Sequence, residues 1–504
     1  MTIFNSSAWI VAPIIIPLIG GLLCFLWRRD TFFIALFISL ANLLSVTTLL
    51  RQFLLFGPLR YRMGGWEAPL GIALRLHGPA LLMLLMTAVS GIGITLYARG
   101  YFSFRISALK HNNRHEQQER FFWPLWLMLW TALNALFLSG DIFNLYVTLE
   151  LVSVSAAALA ALSGKPASQI AAFRYLLVSL LGSLSYLLGV VFVYKTYGIL
   201  DLEMLRQIAT PGPGLQMALT LMTLGLLLKT ALFPLHFWLP PAHANALAPV
   251  SAILSGLVVK GSFFILFTLW FEIFASSITA NALDLIGLLG AGAVIWGSLQ
   301  AIRQQRLKLL VTYSTVAQLG YLFIAFPLTA TENISQEVWT AVTFMVMAHS
   351  FAKTAMFMAA GTIFLQVGHD RIRDLAGIRK SLPITSFAYA IAGVNLIGLP
   401  PSGGFIGKWL LLTAALTSGQ WHWSLVIIAG SLLASVYVFR VVSRLFLTPD
   451  EAIIQECRPH SPLQEWPALF LAIIALLLGL IAPYFSLILE TTEIVANLAP
   501  GGGL

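Results

Sequence analysis

The stretch from Leu226 to Lys260, LLLKTALFPLHFWLPPAHANALAPVSAILSGLVVK, opens as a hydrophobic helix and carries Lys229 inside it. It breaks at Pro234, passes His236, Pro240, Pro241 and His243, and resumes as a second hydrophobic helix holding Lys260. A helix inside a bilayer can break only where protein or a water-filled cavity satisfies the freed backbone groups. An ionisable side chain at that depth marks a functional site by default. The stretch therefore reads as the centre of an ion pathway.

The surrounding composition agrees. Of 504 residues, 59% are hydrophobic and 10% charged, against about 45–50% and about 25% in a soluble protein. This is the signature of a polytopic membrane protein embedded in a lipid bilayer. The net charge of +9 does not point to nucleic acid, because the basic residues sit mostly in short loops between apolar runs. Cys24 and Cys457 lie far apart, which excludes a disulfide framework and a CxxC metal site. The first apolar run, Trp9 to Trp27, has no basic residue before it and reads as a retained helix rather than a signal peptide.

Apolar runs of about 20 residues, the length that spans a bilayer, fall near 8–27, 32–50, 78–99, 121–139, 142–162, 174–195, 215–236, 249–272, 282–302, 308–327, 338–366, 383–416, 422–446 and 465–488. The fold class is therefore all-α, with about fourteen transmembrane helices. The runs 338–366 and 383–416 are too long for one straight crossing, and the second contains Gly398-Leu399-Pro400-Pro401-Ser402-Gly403-Gly404, which predicts a broken helix. Of 29 lysines and arginines, 19 fall in loops after odd-numbered helices and 6 in loops after even-numbered ones. That bias places both termini on the non-cytoplasmic side. Ser107 to Arg120 is the largest polar insert and reads as a cytoplasmic loop. His111 and His115 within it are four apart, but without further ligands they are solvated loop residues, not a metal site.

Interrupted helices in two halves of a chain point to an inverted-repeat transporter with its site at mid-membrane. The expected division is helices 1–3 with the cytoplasmic loop over 1–120, a first repeat over 121–272, a second over 282–446, and a C-terminal helix within 447–504. The two five-helix repeats comprise helices 4–8 and 9–13, with helices 7 and 12 broken.

Five ionisable residues lie well inside the predicted helices: Glu150, Lys229, Lys260, Lys353 and Lys408. Unpaired, they would cost on the order of 12–18 kcal/mol, at roughly 2.5–3.5 kcal/mol each. They must pair, meet water, or lose charge. Burial disfavours the ammonium and a nearby carboxylate favours it, so a lysine between those influences can pass a proton. Glu150, the acid deep in the first half, is the natural counter-ion, either as a working partner or as a static pin between helices. Lys229 stands one turn before Pro234; snorkelling to the interface is its alternative. Lys408 follows the Gly404-Phe405-Ile406-Gly407 turn in a mirror arrangement. His349 and Lys353 are four apart and share a helix face, and histidine carries protons near neutral pH. His236 either joins the path or caps free carbonyls. Asp141 reads as a helix N-cap. Tyr313, Ser314 and Gln318 add polar groups that could hold water in the second half. No Walker A motif, dinucleotide-binding glycine fingerprint, cysteine cluster or haem-ligand pair is present. The chain calls for no cofactor or metal and reads as a transport subunit rather than an enzyme.

Taken together, the residues resemble the antiporter-like subunits shared by respiratory complex I, membrane-bound hydrogenases and multisubunit Mrp sodium/proton antiporters. The matching stretches are GDIFNLY at 140–146 running to Glu150, the opening stretch, RLKLLVTYSTVAQLGYLF at 306–323, HSFAKTAMFMAAG at 349–361 and GLPPSGGFIGKWLL at 398–411. The resemblance implies fourteen helices in two inverted repeats with helices 7 and 12 broken. It also implies a lateral row that passes protons at mid-membrane, carried here by Glu150, Lys229, Lys260, His349, Lys353 and Lys408. Within the family, FNLYV before Glu150 and the lysine at 408 look most like the D-type subunit of Mrp antiporters. Some relatives carry a second histidine where this chain has Met345, which shifts weight to Lys353 and water. The expected function is proton translocation within a monovalent cation (Na+)/proton antiporter of the bacterial inner membrane, assembled with other membrane subunits; protons are the cargo and Na+ the candidate counter-cargo. Two alternatives stand: a proton-pumping subunit of a complex I-like or hydrogenase complex, and a stand-alone secondary solute transporter.

Overall fold

Lipid offers no hydrogen bonds, so each apolar run must satisfy its own backbone, and the runs become helices. The computed structural model describes residues 6–27, 31–108, 113–329, 335–447, 460–482 and 488–489. His111 and Cys457 lie outside them, as does most of the expected C-terminal segment. Twelve helices among the described residues are long and apolar enough to cross a membrane, from Ala8–Leu26 to Trp421–Phe446. One further expected crossing is a pair of shorter helices, Pro383–Ile397 and Gly403–Thr417, and the last is Trp466–Ile481. The protein is an all-α polytopic membrane protein.

Several boundaries differ from the sequence reading. Ser335–Val367 is one continuous helix of 33 residues, about 50 Å long against a hydrocarbon core of about 30 Å. It holds no internal proline or glycine pair to break it, so it stays one continuous helix rather than folding back. The expected cytoplasmic loop is shorter, because Asn113–Leu138 is already helical. The helix Pro166–Tyr197 starts earlier than expected and takes in Arg174, which the charge count assigns to a loop.

The helices are sorted by burial. In the apolar 18-residue cores of Ala248–Ile273 and Glu337–Val367, 94% and 100% of the residues are buried, against 33% in those of Ala8–Leu26 and Trp421–Phe446. The outer helices turn Leu26, Phe37, Leu44, Leu432 and Phe439 outward, as lipid-facing surface requires. The inner ones carry the lysines, so those charges face protein. A two-stranded hairpin, Leu59–Arg62 with Ala73–Leu76, sits between the second and third long helices and pairs Arg60 with Arg75. Its second strand docks on the junction before the Ile142–Ala161 helix, where Gly140 N donates to Ala73 O at 2.9 Å.

Both expected breaks are present. Pro213–Thr230 ends at Ala231, whose φ of 58° makes it the one non-glycine residue in the left-handed region among the described residues. The chain then runs through Leu235–Trp238 into Leu239–Asn245. Trp238 Nε1 reaches back to the freed Leu228 carbonyl at 2.9 Å. At the second break Pro383–Ile397 ends at Gly398, with φ of 85°. Gly403–Thr417 starts under a Ser402 cap whose Oγ accepts from Phe405 N at 3.1 Å.

Candidate ion-translocation site

Lys229 is the penultimate residue of its helix, and its side chain is 4% exposed. The helices Pro166–Tyr197 and Pro213–Thr230 approach closely at Gly182 and Gly225, where a Cβ on Gly225 would stand 2.2 Å from the Gly182 carbonyl oxygen. That approach brings Lys229 against Ser179. The ammonium donates to Ser153 Oγ at 2.6 Å, to Ser179 Oγ at 2.8 Å, and to Glu150 Oε1 at 3.4 Å. Ser179 Oγ in turn donates to Ser153 Oγ at 2.7 Å. Glu150 and Ser153 lie one turn apart on Ile142–Ala161, so a single helix face supplies both. Glu150, expected as a counter-ion, therefore finds its partner in Lys229, beside a pair of serines that the sequence reading does not single out.

Lys260 is completely buried. Its helix widens at Leu254–Val258 into a turn of π geometry, a distortion common at functional sites. The ammonium donates to the Ser255 carbonyl within that turn. Around it, Ser255 and Thr315 hydroxyls meet at 2.9 Å, and Ser350 Oγ donates to Gly256 O at 2.7 Å. Lys353, also completely buried, donates to Ser314 Oγ and to Val311 O at 3.2 Å. His349 is 4% exposed, and neither ring nitrogen has a protein partner. A buried imidazole with both nitrogens free calls for water, and water beside Lys353 is the medium a proton path needs.

Lys408 keeps the expected mirror position to Lys229 but has different partners. It stands after its break and caps the preceding half-helix, donating to Leu396 O at 2.8 Å and Ile397 O at 3.1 Å, with Ser431 Oγ at 3.2 Å. A cation at a helix C-terminus is favoured by the dipole and by the unpaired carbonyls there. Its ammonium also lies 4.4 Å from the Tyr321 ring centroid. No carboxylate pairs with it among the described residues. Gln318 Nε2 donates to the same Leu396 carbonyl at 3.0 Å, which makes it part of this break.

The remaining candidates separate by place. His236 and Tyr313 line one open cavity of ≈ 590 Å³ at the first break, together with Pro234, Pro240, Trp296 and Gln300. Asp141 caps Ile142–Ala161, its Oδ1 accepting from Asn144 N at 2.8 Å, as an N-cap should. Burial pushes its carboxyl above the usual range, against the hydrogen bond from Asn144.

Two residues of this interior escape the sequence reading. Lys308 falls at a loop boundary by sequence, yet it is 5% exposed and donates to Ala246 O at 2.7 Å, tying its helix to the broken segment. His243 is completely buried, stacked on Phe357 at 4.9 Å, and has no partner on either nitrogen. Lys260, Lys308 and Lys353 are its electrostatic neighbours. The available signal is its place between a double proline and the next apolar run. No cluster of three or more metal-ligating side chains occurs among the described residues.

Residues 139–434 match the family described as NADH:quinone oxidoreductase/Mrp antiporter, TM. The chain belongs to that family. It is 33% identical over 443 residues to the N-type subunit of NADH-quinone oxidoreductase from Desulforudis audaxviator, covering 87% of this chain and 85% of that one. It is 26% identical over 495 residues to the D-type subunit of the Na+/H+ antiporter from Bacillus subtilis, covering 96% and 97%. In fold it superposes on a chain of the Mrp complex from Dietzia with a TM-score of 0.86, at 22% identity, covering 99% of this chain and 98% of that one. Family membership makes the chain a membrane subunit of the antiporter type, and both branches of the family are represented in these likenesses.

Proposed function

We propose that this chain is a proton-translocating subunit of a multisubunit monovalent cation (Na+)/proton antiporter. The observation that carries the reading is the Lys229 ammonium, held by Ser153, Ser179 and Glu150 immediately before a helix break. A charge so placed has two sets of partners within reach, and exchange between them changes its readiness to hold a proton. Lys260, His349 and Lys353, buried near one another, the lysines bonded to hydroxyls and carbonyls and to no carboxylate among the described residues, continue the row, and Lys408 closes it at the second break. His243 and Lys308 supply a branch toward the other end of the broken segment.

The two breaks, one in each half, support the division into repeats over 121–272 and 282–446, with 1–120 and 447–504 flanking them. Positive charge in the loops after odd-numbered helices supports a multi-pass protein of the bacterial inner membrane with both termini outside. Likeness to a D-type antiporter chain over nearly the whole length supports assembly with other membrane subunits. The likeness to an N-type oxidoreductase chain supports a second reading, in which the same row is driven by redox chemistry in partner subunits.

Purification of the native complex with mass spectrometry of its partners, followed by Na+-driven proton flux in vesicles, tests the proposal. Small hydrophobic partners and Na+-dependent flux are expected. Partners carrying flavin or iron–sulfur clusters would transfer the row to a redox-driven pump, and a chain purified alone that moves a solute would overturn both.

A further inference from the structure

A second buried charge cluster lies away from the lysine row, where the hairpin meets the end of the Ala248–Ile273 span. Arg75 Nη1 donates to Glu272 Oε2 at 2.6 Å, and the Glu272 side chain is only 2% exposed. His77 Nε2 stands 3.8 Å from Glu272 Oε1, just beyond hydrogen-bond reach. Neither His77 nitrogen has a partner, nor does Glu272 Oε1. Glu272 sits in Leu269–Ile273, a second turn of π geometry in the helix that carries Lys260.

A small cavity lies against Lys260, and His77 packs behind Phe264 of its wall. It measures ≈ 20 Å³ and is lined by Lys260, Thr343, Phe263, Phe264, Phe267 and Pro79 among others. That volume admits about one water. Pro79 follows His77 by two residues, and the His77 ring centroid is 6.0 Å from that of Phe264. Apolar side chains dominate the lining, which keeps the passage dry at rest, the character of a constriction that gates by wetting. On its far side the cluster leads outward: Arg75 pairs across the hairpin with Arg60, which bridges buried Asp201 at 2.8 Å and Glu203, whose side chain is half exposed.

We infer that His77, set between Arg75 and Glu272, exchanges protons between Lys260 and the non-cytoplasmic medium. The inference rests on the proton-translocating reading above and adds an outlet in the first half of the chain. When the passage wets past Phe264, Lys260 gives a proton to water there, and the water gives one to a free His77 nitrogen. The imidazolium then releases the proton on its other nitrogen to Glu272 or to water beyond it. Lys260 loses one N–H bond, His77 gains one and loses another so that it ends as the other tautomer, and the proton ends on an oxygen of Glu272 or water. Lys260 is recharged from the lysine row, and the ring turns over before the next transfer. Burial, with Arg75 beside it, holds the His77 imidazole well below its usual pKa, so it rests neutral and holds a proton only in transit. The charged groups that face it are Arg75 and Glu272.

The test uses the whole complex in proteoliposomes, with flux read by a pH-sensitive dye. His77→Gln should assemble and lower Na+-driven proton flux about tenfold or more, the scale on which a positioned proton carrier acts. In His77→Ala, free imidazole added on the non-cytoplasmic side should restore part of the flux. Unchanged flux in His77→Gln overturns the inference. So does a loss that imidazole does not restore, or a failure of both His77→Gln and His77→Asn to assemble, since each assigns His77 a structural role alone. Lys229→Met serves as the separate control: if it too keeps full flux, the proton row itself is wrong, whereas its loss beside an unaffected His77→Gln sinks only the outlet.

Discussion

The ion pair between Lys229 and Glu150 is long. Their charged atoms stand 3.4 Å apart, while the same ammonium is 2.6 Å from Ser153 Oγ and 2.8 Å from Ser179 Oγ. The serines hold the lysine and the carboxylate stands at the edge of its reach. A pair tuned for strength would close to the shorter range of charge-assisted bonds, about 2.7–2.9 Å. The looser geometry leaves Lys229 able to change partners.

Ser153→Ala with Ser179→Ala removes that hold. Hydrogen bonds to charged groups contribute about 1.5–3 kcal/mol each. The double variant is expected to lose thermal stability of that order, and Lys229 should settle fully on Glu150, slowing proton flux. Thermal melts and flux of the purified complex measure the two effects separately.

Lys408→Glu reverses the cap of the second break. A carboxylate would face the Leu396 and Ile397 carbonyls that the ammonium now engages, with no cation among the described residues to offset it. A destabilisation of about 3 kcal/mol or more is expected, on the scale of an uncompensated buried charge. Lys408→Arg should be better tolerated. Comparing the amount of assembled complex for the two variants checks this.

Gly225→Ala places a Cβ against the Gly182 carbonyl. The added carbon meets backbone, so the two helices must part, at a cost of about 1–3 kcal/mol. Lys229 would then move off Ser179. Reduced stability together with reduced flux is expected, and a fully active Gly225→Ala variant would show that this close approach is not needed to seat the lysine.

Lys308→Gln keeps a donor for the Ala246 carbonyl but removes the charge. If Lys308 serves only as a tether, flux and stability stay at the parent level. The branch through His243 predicts near-normal assembly with clearly lower flux, measured in the same vesicles.

Much of this was legible in the sequence because the decisive features are local. A double proline in an apolar run forces a break wherever it falls, and Gly398 with Pro400 and Pro401 does the same. Glu150 could be matched to Lys229 because few acids lie at that depth. Other features depend on residues far apart in the chain. Ser153 and Ser179 look like ordinary small helix residues until Gly182 and Gly225 bring their helices together. Lys308 hangs on a boundary decided by a residue or two. Arg75, His77 and Glu272 come from a hairpin and a helix end separated by almost two hundred positions, and each reads as a loop or interface residue on its own. The mirror placement expected of Lys229 and Lys408, one before its break and one after, is present, but their partners differ: one meets a carboxylate and serines, the other the Leu396 and Ile397 carbonyls.

The most direct measurement of the central claim is Na+-driven proton flux in vesicles bearing the assembled complex with Glu150→Ala. The account predicts an intact complex whose flux is lost, because Lys229 keeps its serines but has no carboxylate to exchange with. Antiport at the parent rate in that variant, with normal assembly, would contradict it.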